Sequence, residues 1–355
     1  MAAAVVGLDI GTTGVRAVET SSGGKSANVR RAYGVPLPPG VVEDGVVRDH
    51  AALVQALREL WKRGKFSTRK AQPVIGSYPA VSVRRAGVDY LSNPNDMAAL
   101  VQEEAAKVMP AEVSRLYLRH HVASVEPRLT EDGKTINKAS VAIAGADRVA
   151  LDSILDAVWD AGVVPQSVDV TSFALSRFVA SASSGPTAVD AVVHLGATTV
   201  TMTGVLDKQF VFELAMNQLA GNALTQEIAI SLGVTPEQAE TLKVAGPPDP
   251  DDPFRSRGVD VSGPLAGWTS ALVSEIEAGV ASLRRHIGVP LGRVWLSGGE
   301  SRLPGLATRL AVELDARGRV AVLDGRAWVR SPEKLRAASD ATGQDLTVAL
   351  AASLR

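Results

Sequence analysis

Apolar residues along this chain recur with two periods, and the two periods alternate from one end to the other. Short, mostly apolar runs such as 4–10 and 15–19 are typical of buried strands, whereas apolar residues spaced three or four apart predict helices. One such helix follows Asp49, a residue type that favours the position just before a helix. Because strand and helix patterns alternate in both halves of the chain, we predict an α/β fold.

The second half of the chain repeats the plan of the first. A polar stretch, SASSGPT, predicts a surface crossing near the midpoint, and a strand, a turn and a second strand follow it. The pattern then predicts a helix at about 222–232, a Pro- and Asp-rich loop at 246–264, a long helix through 265–287 and a final apolar helix at 346–354. This repetition suggests two related lobes that face each other across a cleft.

The repeated element is a turn rich in glycine and threonine between two strands. The first copy is GTTG at 11–14, and the second is GATT at 196–199. Backbone N–H groups and small hydroxyl groups make a concave anion site, so two such turns can clamp one polyphosphate between two lobes. A single turn of this kind favours an ordinary hairpin, but the repetition favours phosphate binding. The pair Gly298-Gly299 after a later strand lets the backbone approach a flat group such as a base or ribose.

Composition narrows the class of protein. With 355 residues the chain is too long for one ordinary core, which supports two lobes. The formal net charge of −1 argues against a nucleic-acid binder, which usually carries a basic surplus. The sequence contains no cysteine, no apolar run long enough for a membrane span and no basic segment typical of a signal peptide. We therefore expect a cytoplasmic protein with no disulfide and no nucleic-acid partner.

Several segments resemble known proteins. The stretches GLDIGTTGVRAVE (7–19), VVHLGATTV (192–200) and WLSGGESRLPGL (295–306) resemble the two phosphate motifs and the adenosine motif of the actin-like ATPase superfamily. Within it, GNALTQEIAISLGVTPEQAETLK (221–243) and SVDVTSFALSRF (167–178) resemble the PilM family of type IV pilus assembly proteins, which are relatives of the cell-division protein FtsA. The resemblance covers nearly the whole chain.

This resemblance implies an actin-like, ribonuclease H-like duplicated fold with two lobes around a nucleotide cleft. Subdomain IA is expected at 1–72 and 166–186, an inserted IC subdomain of the FtsA/PilM type at 73–165, and the second half at 187–355, with IIB at about 222–264. These bounds are expectations that rest on the family pattern.

The resemblance also implies a function. Members of the family bind ATP or ADP with Mg²⁺, and they hold the N-terminal cytoplasmic tail of a PilN-like bitopic membrane protein in a groove beside the IC subdomain. The resulting assembly links the pilus platform to its cytoplasmic motor ATPases, and it is compatible with a homo-oligomer. The chain is therefore expected at the inner face of the cell membrane, held there through its partner.

The resemblance assigns candidate site residues. Asp9 matches the carboxylate that holds hydrated Mg²⁺, a cation that prefers oxygen ligands. The expected nucleotide contacts are Gly11, Thr12, Thr13, Gly196, Thr198, Gly221, Asn222, Glu227, Gly298, Gly299 and Glu300. Glu227 is a candidate for the ribose, with a solvent-facing helix charge as an equal alternative. A surface position is the favoured interpretation of Lys243, although its side chain has the length to reach a nucleotide.

Two positions depart from the family pattern. His194 stands where relatives carry an aspartate, and a neutral imidazole is a poor Mg²⁺ ligand. A protonated imidazole could pair with phosphate instead, and a histidine that only fills the strand end is an equal alternative. Thr171 stands where relatives commonly place a Glu or Gln that orients water, and a threonine is no general base at neutral pH. Asp169 is the candidate catalytic substitute. Because both changes affect the same step, we expect ATP hydrolysis to be slow or absent.

Two alternative functions remain open at this stage. An actin-superfamily small-molecule kinase needs a carboxylate base in the cleft, and the residues at 171 and 194 count against it. An FtsA-like, membrane-associated division scaffold would end in a basic amphipathic helix, whereas the segment LTVALAASLR favours a closing core helix.

Overall fold

The computed structural model describes residues 4–21, 27–76, 80–246, 260–314, 319–342 and 345–354. The strands, in chain order, are β1 (Ala4–Ile10), β2 (Gly14–Ser21), β3 (Asn28–Pro36), β4 (Val42–Glu43), β5 (Val46–Val47), β6 (Lys70–Ile75), β7 (Val81–Asp89), β8 (Leu116–Leu129), β9 (Thr135–Asp147), β10 (Val164–Pro165), β11 (Asp169–Val170), β12 (Val189–Leu195), β13 (Val200–Leu206), β14 (Gln209–Ala215), β15 (Leu291–Ser297) and β16 (Val320–Val322). The helices are α1 (His50–Gly64), α2 (Pro94–Val108), α3 (Arg148–Asp160), α4 (Thr171–Ala180), α5 (Gly221–Leu232), α6 (Pro236–Ala245), α7 (Ser262–Ile287), α8 (Leu306–Glu313), α9 (Pro332–Thr342) and α10 (Thr347–Ser353).

Two sheets share one plan, as the repeated turns predict. In the first sheet, of order β10-β6-β1-β2-β3, β1 pairs antiparallel with β2 across the first turn and parallel with β6. In the second sheet, of order β14-β13-β12-β15-β16, β12 pairs antiparallel with β13 across the second turn and parallel with β15. The α/β class and the duplicated, two-lobed architecture are therefore confirmed.

A third sheet, of order β7-β9-β8, lies between α1 and α3 in sequence. Helix α2 covers one of its faces through a cluster that includes Met97, Val101, Ala105, Val141 and Ile143. Asn93 caps α2 with its side chain, and proline follows at the first helical position. This unit falls within the range expected for the inserted subdomain.

The packing of three segments crosses the expected ranges. Residues 73–75 belong to β6 of the first sheet rather than to the insertion, and α3 buries Ile154 and Val158 in the core of the first lobe. The last helix, α10, packs against β1 and β2 of the first sheet, and it shares one buried cluster with Val192 and Leu323 of the second half. Glycine at position 7 makes this approach possible, because a Cβ there would lie 2.0 Å from the carbonyl oxygen of Ala349. The subdomain bounds themselves stay a prediction.

Other predicted elements can be compared directly. Helix α7 buries Leu265, Trp268, Leu272 and Ile276 along one stripe, as its spacing predicts. Most of the loop predicted at 246–264 lies outside the described residues, as do the side chains of α7 at 283, 284, 286 and 287. Within the described part of the chain, no helix combines the length and apolar character needed to cross a bilayer.

Candidate functional site

The two Gly-Thr turns have the same main-chain geometry. In the first, Gly11 N donates to the carbonyl oxygen of Gly14 at 3.0 Å, and in the second Gly196 N donates to that of Thr199 at 2.9 Å. The strands flanking each turn start their pairing in the same register. The turn is therefore duplicated as a structure and not only as a sequence pattern.

The turns meet across the space between the lobes. The hydroxyl groups of Thr12 and Thr198 are 2.9 Å apart and share a hydrogen bond. A cleft of about 690 Å³ opens beside this contact. Its lining includes ten residues expected from the sequence: Asp9, Gly11, Thr12, Thr13, Gly196, Thr198, Asn222, Gly298, Gly299 and Glu300. The structure thus gathers most of the predicted site into one cleft.

An arginine occupies the first turn. Arg16 lies opposite Asp9 in the β1–β2 register, and its Nη1 is 3.2 Å from the Asp9 carboxylate. The same side chain donates from Nη2 to the Thr13 hydroxyl at 3.1 Å and from Nη1 to the Gly14 carbonyl at 3.3 Å. Burial raises the pKa of Asp9, the Arg16 guanidinium opposes that rise, and nearby Asp345 adds to it.

The second turn carries a neutral imidazole. Burial lowers the pKa of His194 to about 4, with nearby Asp345 opposing this shift and Arg16 adding to it. His194 is therefore uncharged at pH 7, and its Nδ1 lies 3.5 Å from the Ser297 hydroxyl. The turn is fixed to the N-terminus of α5, because Gly221 N and Asn222 N donate to the carbonyls of residues 196 and 197.

The glycine pair after β15 supplies the third wall. Gly298 has φ of 91°, a conformation that favours glycine, and a Cβ there would lie 2.3 Å from the carbonyl oxygen of Leu195. Its N–H donates to Asp345 Oδ2 at 3.2 Å. A Cβ on Gly299, in contrast, would meet nothing within 4 Å. The chain therefore needs glycine at 298 for backbone geometry, whereas glycine at 299 keeps the cleft open.

Lys243 lies inside the site, contrary to the surface position favoured from the sequence. Its side chain is 2% exposed, and Nζ donates to Glu300 at 2.9 Å and contacts Glu240 at 2.8 Å. Burial raises the pKa of Glu300, and Lys243 opposes the rise. Glu300 also packs tightly on Gly221, where a Cβ would lie 2.0 Å from Glu300 Oε1. A lysine on a helix pattern is usually solvated, so only the tertiary fold reveals this buried pair.

Three predicted residues lie outside the cleft lining: Asp169, Glu227 and Gly221, of which Gly221 packs against Glu300. Asp169 is buried and forms an ion pair with Arg177, with Gln72 as a further donor at 3.4 Å. Glu227 is exposed on α5, near Gly267 of α7. Thr171 does line the cleft, but its hydroxyl donates to the carbonyl oxygen of Ile75 at 3.1 Å.

The sequence reasoning did not single out Arg16 or Asp345. Arg16 had a usable signal, because a four-residue turn after Ile10 places residue 16 opposite residue 9 in the hairpin. Asp345 accepts hydrogen bonds from Gly298 N, Thr347 N and the Thr347 hydroxyl, and it approaches Arg302 at 3.5 Å. It links the glycine pair to the start of α10, a long-range contact with no local sequence signal.

The donors at the first turn do not fit a divalent cation held by the protein. The carboxylate expected for that role, on Asp9, is ion-paired with Arg16. The matching position of the second turn offers a neutral imidazole, which suits Mg²⁺ poorly. Across the described ranges, no group of three or more His, Asp or Glu side chains is arranged to hold a metal ion.

Two duplicated sheets joined at paired phosphate-type turns define an actin-like fold. EutJ, an ethanolamine utilization protein from Carboxydothermus hydrogenoformans, shares it at 16% identity with a TM-score of 0.55, over 100% of this chain and 90% of that one. MreB 5 of Spiroplasma citri, solved bound to AMPPNP, matches at 12% identity with a TM-score of 0.51, over 100% and 96%.

Comparison with sequence families assigns the chain more narrowly than the fold does. The sequence model of the type IV pilus assembly protein PilM matches residues 7–341, so the chain belongs to the PilM family. A solved PilM–PilN type IV pilus biogenesis complex contains a chain similar to this one at 25% identity and a TM-score of 0.76, over 99% of this chain and 98% of that one.

Proposed function

We propose that this chain is an adaptor of type IV pilus assembly that binds ATP or ADP between its lobes and holds the cytoplasmic N-terminal tail of a PilN-like membrane protein. The observation that carries the proposal is the family match over residues 7–341, together with the similarity over 99% of the chain to a protein solved in a PilM–PilN complex. Through that partner the chain lies at the inner face of the membrane and links the platform to the pilus motor ATPases.

The geometry of the turns supports a nucleotide in the cleft. Thr12 and Thr198 approach within 2.9 Å, so one phosphate chain placed at this point contacts donors from both lobes. Gly299 leaves room for a flat ring, and Lys243 with Glu300 forms a buried polar wall beside it. ATP and ADP combine the anionic chain and the flat base that these surfaces accommodate.

The nucleotide acts as a ligand rather than as a rapidly turned-over substrate. A general base must take a proton from the attacking water, and a threonine hydroxyl is too weak a base to do so at neutral pH. The Thr171 hydroxyl also donates to the carbonyl oxygen of Ile75. Asp169 is engaged by Arg177 away from the cleft. The same lack of an available base argues against a small-molecule kinase.

We propose that the partner tail binds in a groove beside the inserted sheet. It encloses about 1020 Å³ between β7 and neighbouring residues of β8 and β9 on one side and β14 and α7 on the other. Both β7 and β14 are edge strands of their sheets, and edge strands accept extended peptides by main-chain pairing. A hydrogen bond of 3.3 Å from Val83 N to the Glu213 side chain ties the two walls together.

The partner proposal is tested by titrating a peptide of the PilN-like tail into the full chain. Gly87 lines the groove and a Cβ there meets nothing within 4 Å, so Gly87→Trp should fill the groove without straining the strand. We expect this variant to lose peptide binding by at least about tenfold, equivalent to roughly 1.4 kcal/mol. His121→Trp, an exposed substitution on β8 outside the groove lining, is the matched control. A wild-type chain that does not bind the peptide contradicts the adaptor role.

The nucleotide proposal is tested by calorimetric titration of ADP and ATP. Gly299→Val should block the cleft while leaving the fold intact, because the added side chain projects into open space. Gly263→Val is the control, since that glycine also has open space but lies outside the cleft lining. Equal nucleotide affinity in both variants would exclude this cleft as the binding site.

A further inference from the structure

Every acidic side chain that lines the described cleft has a cationic partner. Asp9 pairs with Arg16, Glu240 and Glu300 both pair with Lys243, and Asp345 pairs with Arg302. A hard divalent cation needs carboxylate or carbonyl oxygens and gives up its water reluctantly. The cleft instead presents carboxylates whose charge is already balanced by protein cations.

The backbone imposes the pairing at the first turn. Asp9 and Arg16 are directly opposite each other in the antiparallel β1–β2 register, so their side chains share one face of the sheet. The pair is largely buried, with side chains 16% and 13% exposed. At the matching place of the second hairpin, His194 lies opposite Thr201, which offers no charge.

The Arg16 guanidinium covers the main chain of the first turn. A Cβ added at Gly11 would lie 3.0 Å from Arg16 Nη1, so the group rests directly on this glycine. Its other contacts are the Thr13 hydroxyl and the Gly14 carbonyl. The buried Nε atom has no hydrogen-bond partner, which leaves one donor of this side chain unsatisfied.

We propose that Arg16, and not Mg²⁺, neutralises the phosphates of a nucleotide bound to this chain, so that divalent cations do not strengthen nucleotide binding. The inference rests on the proposed nucleotide site. A guanidinium presents several donors in a plane that matches phosphate oxygens. A phosphate competes with the Asp9 carboxylate for this group, and it can also satisfy the unpaired Nε. Mg²⁺ already bound to the nucleotide reduces the charge that Arg16 attracts, so Mg²⁺ leaves the affinity unchanged or lowers it.

The experiment measures ADP binding to the full chain by calorimetry, in EDTA and in excess MgCl₂ at matched ionic strength. Wild-type protein should bind with dissociation constants that agree within about threefold or are weaker with Mg²⁺. Arg16→Met should weaken binding in EDTA by at least about tenfold, the loss expected for a charge-assisted contact. This variant also releases Asp9, so Mg²⁺ should restore part of its affinity. Asp9→Asn should retain tight ADP binding that Mg²⁺ does not strengthen, because this substitution frees Arg16. Arg119→Met, an exposed substitution on β8 outside the lining of both the cleft and the groove, is the control.

The outcomes separate the inference from the function on which it rests. Wild-type affinity that rises tenfold or more with Mg²⁺ overturns the inference and leaves the nucleotide site in place. Unchanged affinity in a folded Arg16→Met protein overturns it as well. If Arg16→Met does not fold, Asp9→Asn decides: a new dependence on Mg²⁺ or a large loss of affinity would contradict the role of Arg16. No binding of ADP in either buffer overturns the nucleotide site itself.

Discussion

The two Gly-Thr turns share their backbone and differ in their chemistry. Each closes with the same N–H to C=O hydrogen bond and the same strand register. The first then places the charged pair Asp9 and Arg16 before and after its turn, whereas the second places His194 and Thr201 there. Main-chain hydrogen bonding thus preserves the geometry of a duplicated element while its side chains diverge. Similar turns therefore do not imply similar ligands.

The strands that lead into these turns differ as well. Gly7 of β1 lies under α10, and Val192 occupies the matching place in β12. A close approach of helix backbone to strand backbone requires glycine, whereas a strand packed by side chains tolerates valine. We therefore expect a substitution at Gly7 to have the largest effect on the free energy of unfolding.

Gly7→Val should lower the free energy of unfolding by about 3 kcal/mol or more, because the new side chain must displace α10 from the first sheet. Denaturant midpoints compared with wild type measure the effect. Val192→Ala, the smallest apolar change at the matching place, should cost less than half as much. A Gly7→Val protein within 1 kcal/mol of wild type, roughly the mean effect of a point mutation, would contradict the tight packing of α10.

Gly298→Ala should cost about 2 kcal/mol of stability, since it combines a positive φ with a clash against the carbonyl of Leu195. Gly299→Ala should cost little, because its Cβ has open space. The two neighbouring substitutions are compared by thermal unfolding at one protein concentration. Equal losses in both would show that the turn is not held against β12 in solution.

The pH dependence of stability should separate His194 from the acidic position in the first copy. Because the pKa of folded His194 is about 4, against 6.5 for an ordinary histidine, its contribution is fully present above pH 6.5 and is lost as the pH falls toward 4. Wild-type protein should therefore lose about 1–2 kcal/mol more than His194→Gln between pH 7 and pH 5. Urea unfolding at several pH values measures the difference. Parallel profiles would mean that the imidazole is solvated.

The hydroxyl contact between the turns should give the smallest effect. A double-mutant cycle with Thr12→Val and Thr198→Val should show a coupling of about 0.5–1 kcal/mol, typical of one hydrogen bond between neutral groups. A cycle that pairs Thr13→Val with Thr198→Val is the control, since the Thr13 hydroxyl accepts from Arg16 instead. Zero coupling in the first cycle would place the two turns out of contact in solution.

The sequence predicts the parts of this site that rest on local rules. Paired turns and a later glycine pair are local patterns, and the structure gathers them into one cleft. The burial of a charged residue cannot be predicted from local sequence in this way. The sequence around Lys243 is that of an ordinary helix, and only the contact with Glu300, from a distant turn, explains why Lys243 is buried. Asp345 is not predicted either, because its contact with the glycine pair is also long-range.

Long-range packing determines the position of the last helix, α10, which the sequence does not predict. The apolar run around residues 346–352 predicts a buried helix, and the helix is buried. Its destination is set by a glycine more than three hundred positions earlier, which no periodicity near the helix can reveal. Local pattern determines that an element exists, and shape complementarity determines where it packs.

The packing of α10 on the first sheet affects the order in which the two lobes can fold during synthesis. Strands β12–β16 and helices α5–α8 are contiguous in the chain, so the second lobe can close as soon as it leaves the ribosome. The first lobe waits longer, because the surface around Gly7 stays uncovered until residues 347–353 emerge. A nascent chain halted before that point exposes the apolar surface of the first sheet that α10 covers in the complete fold.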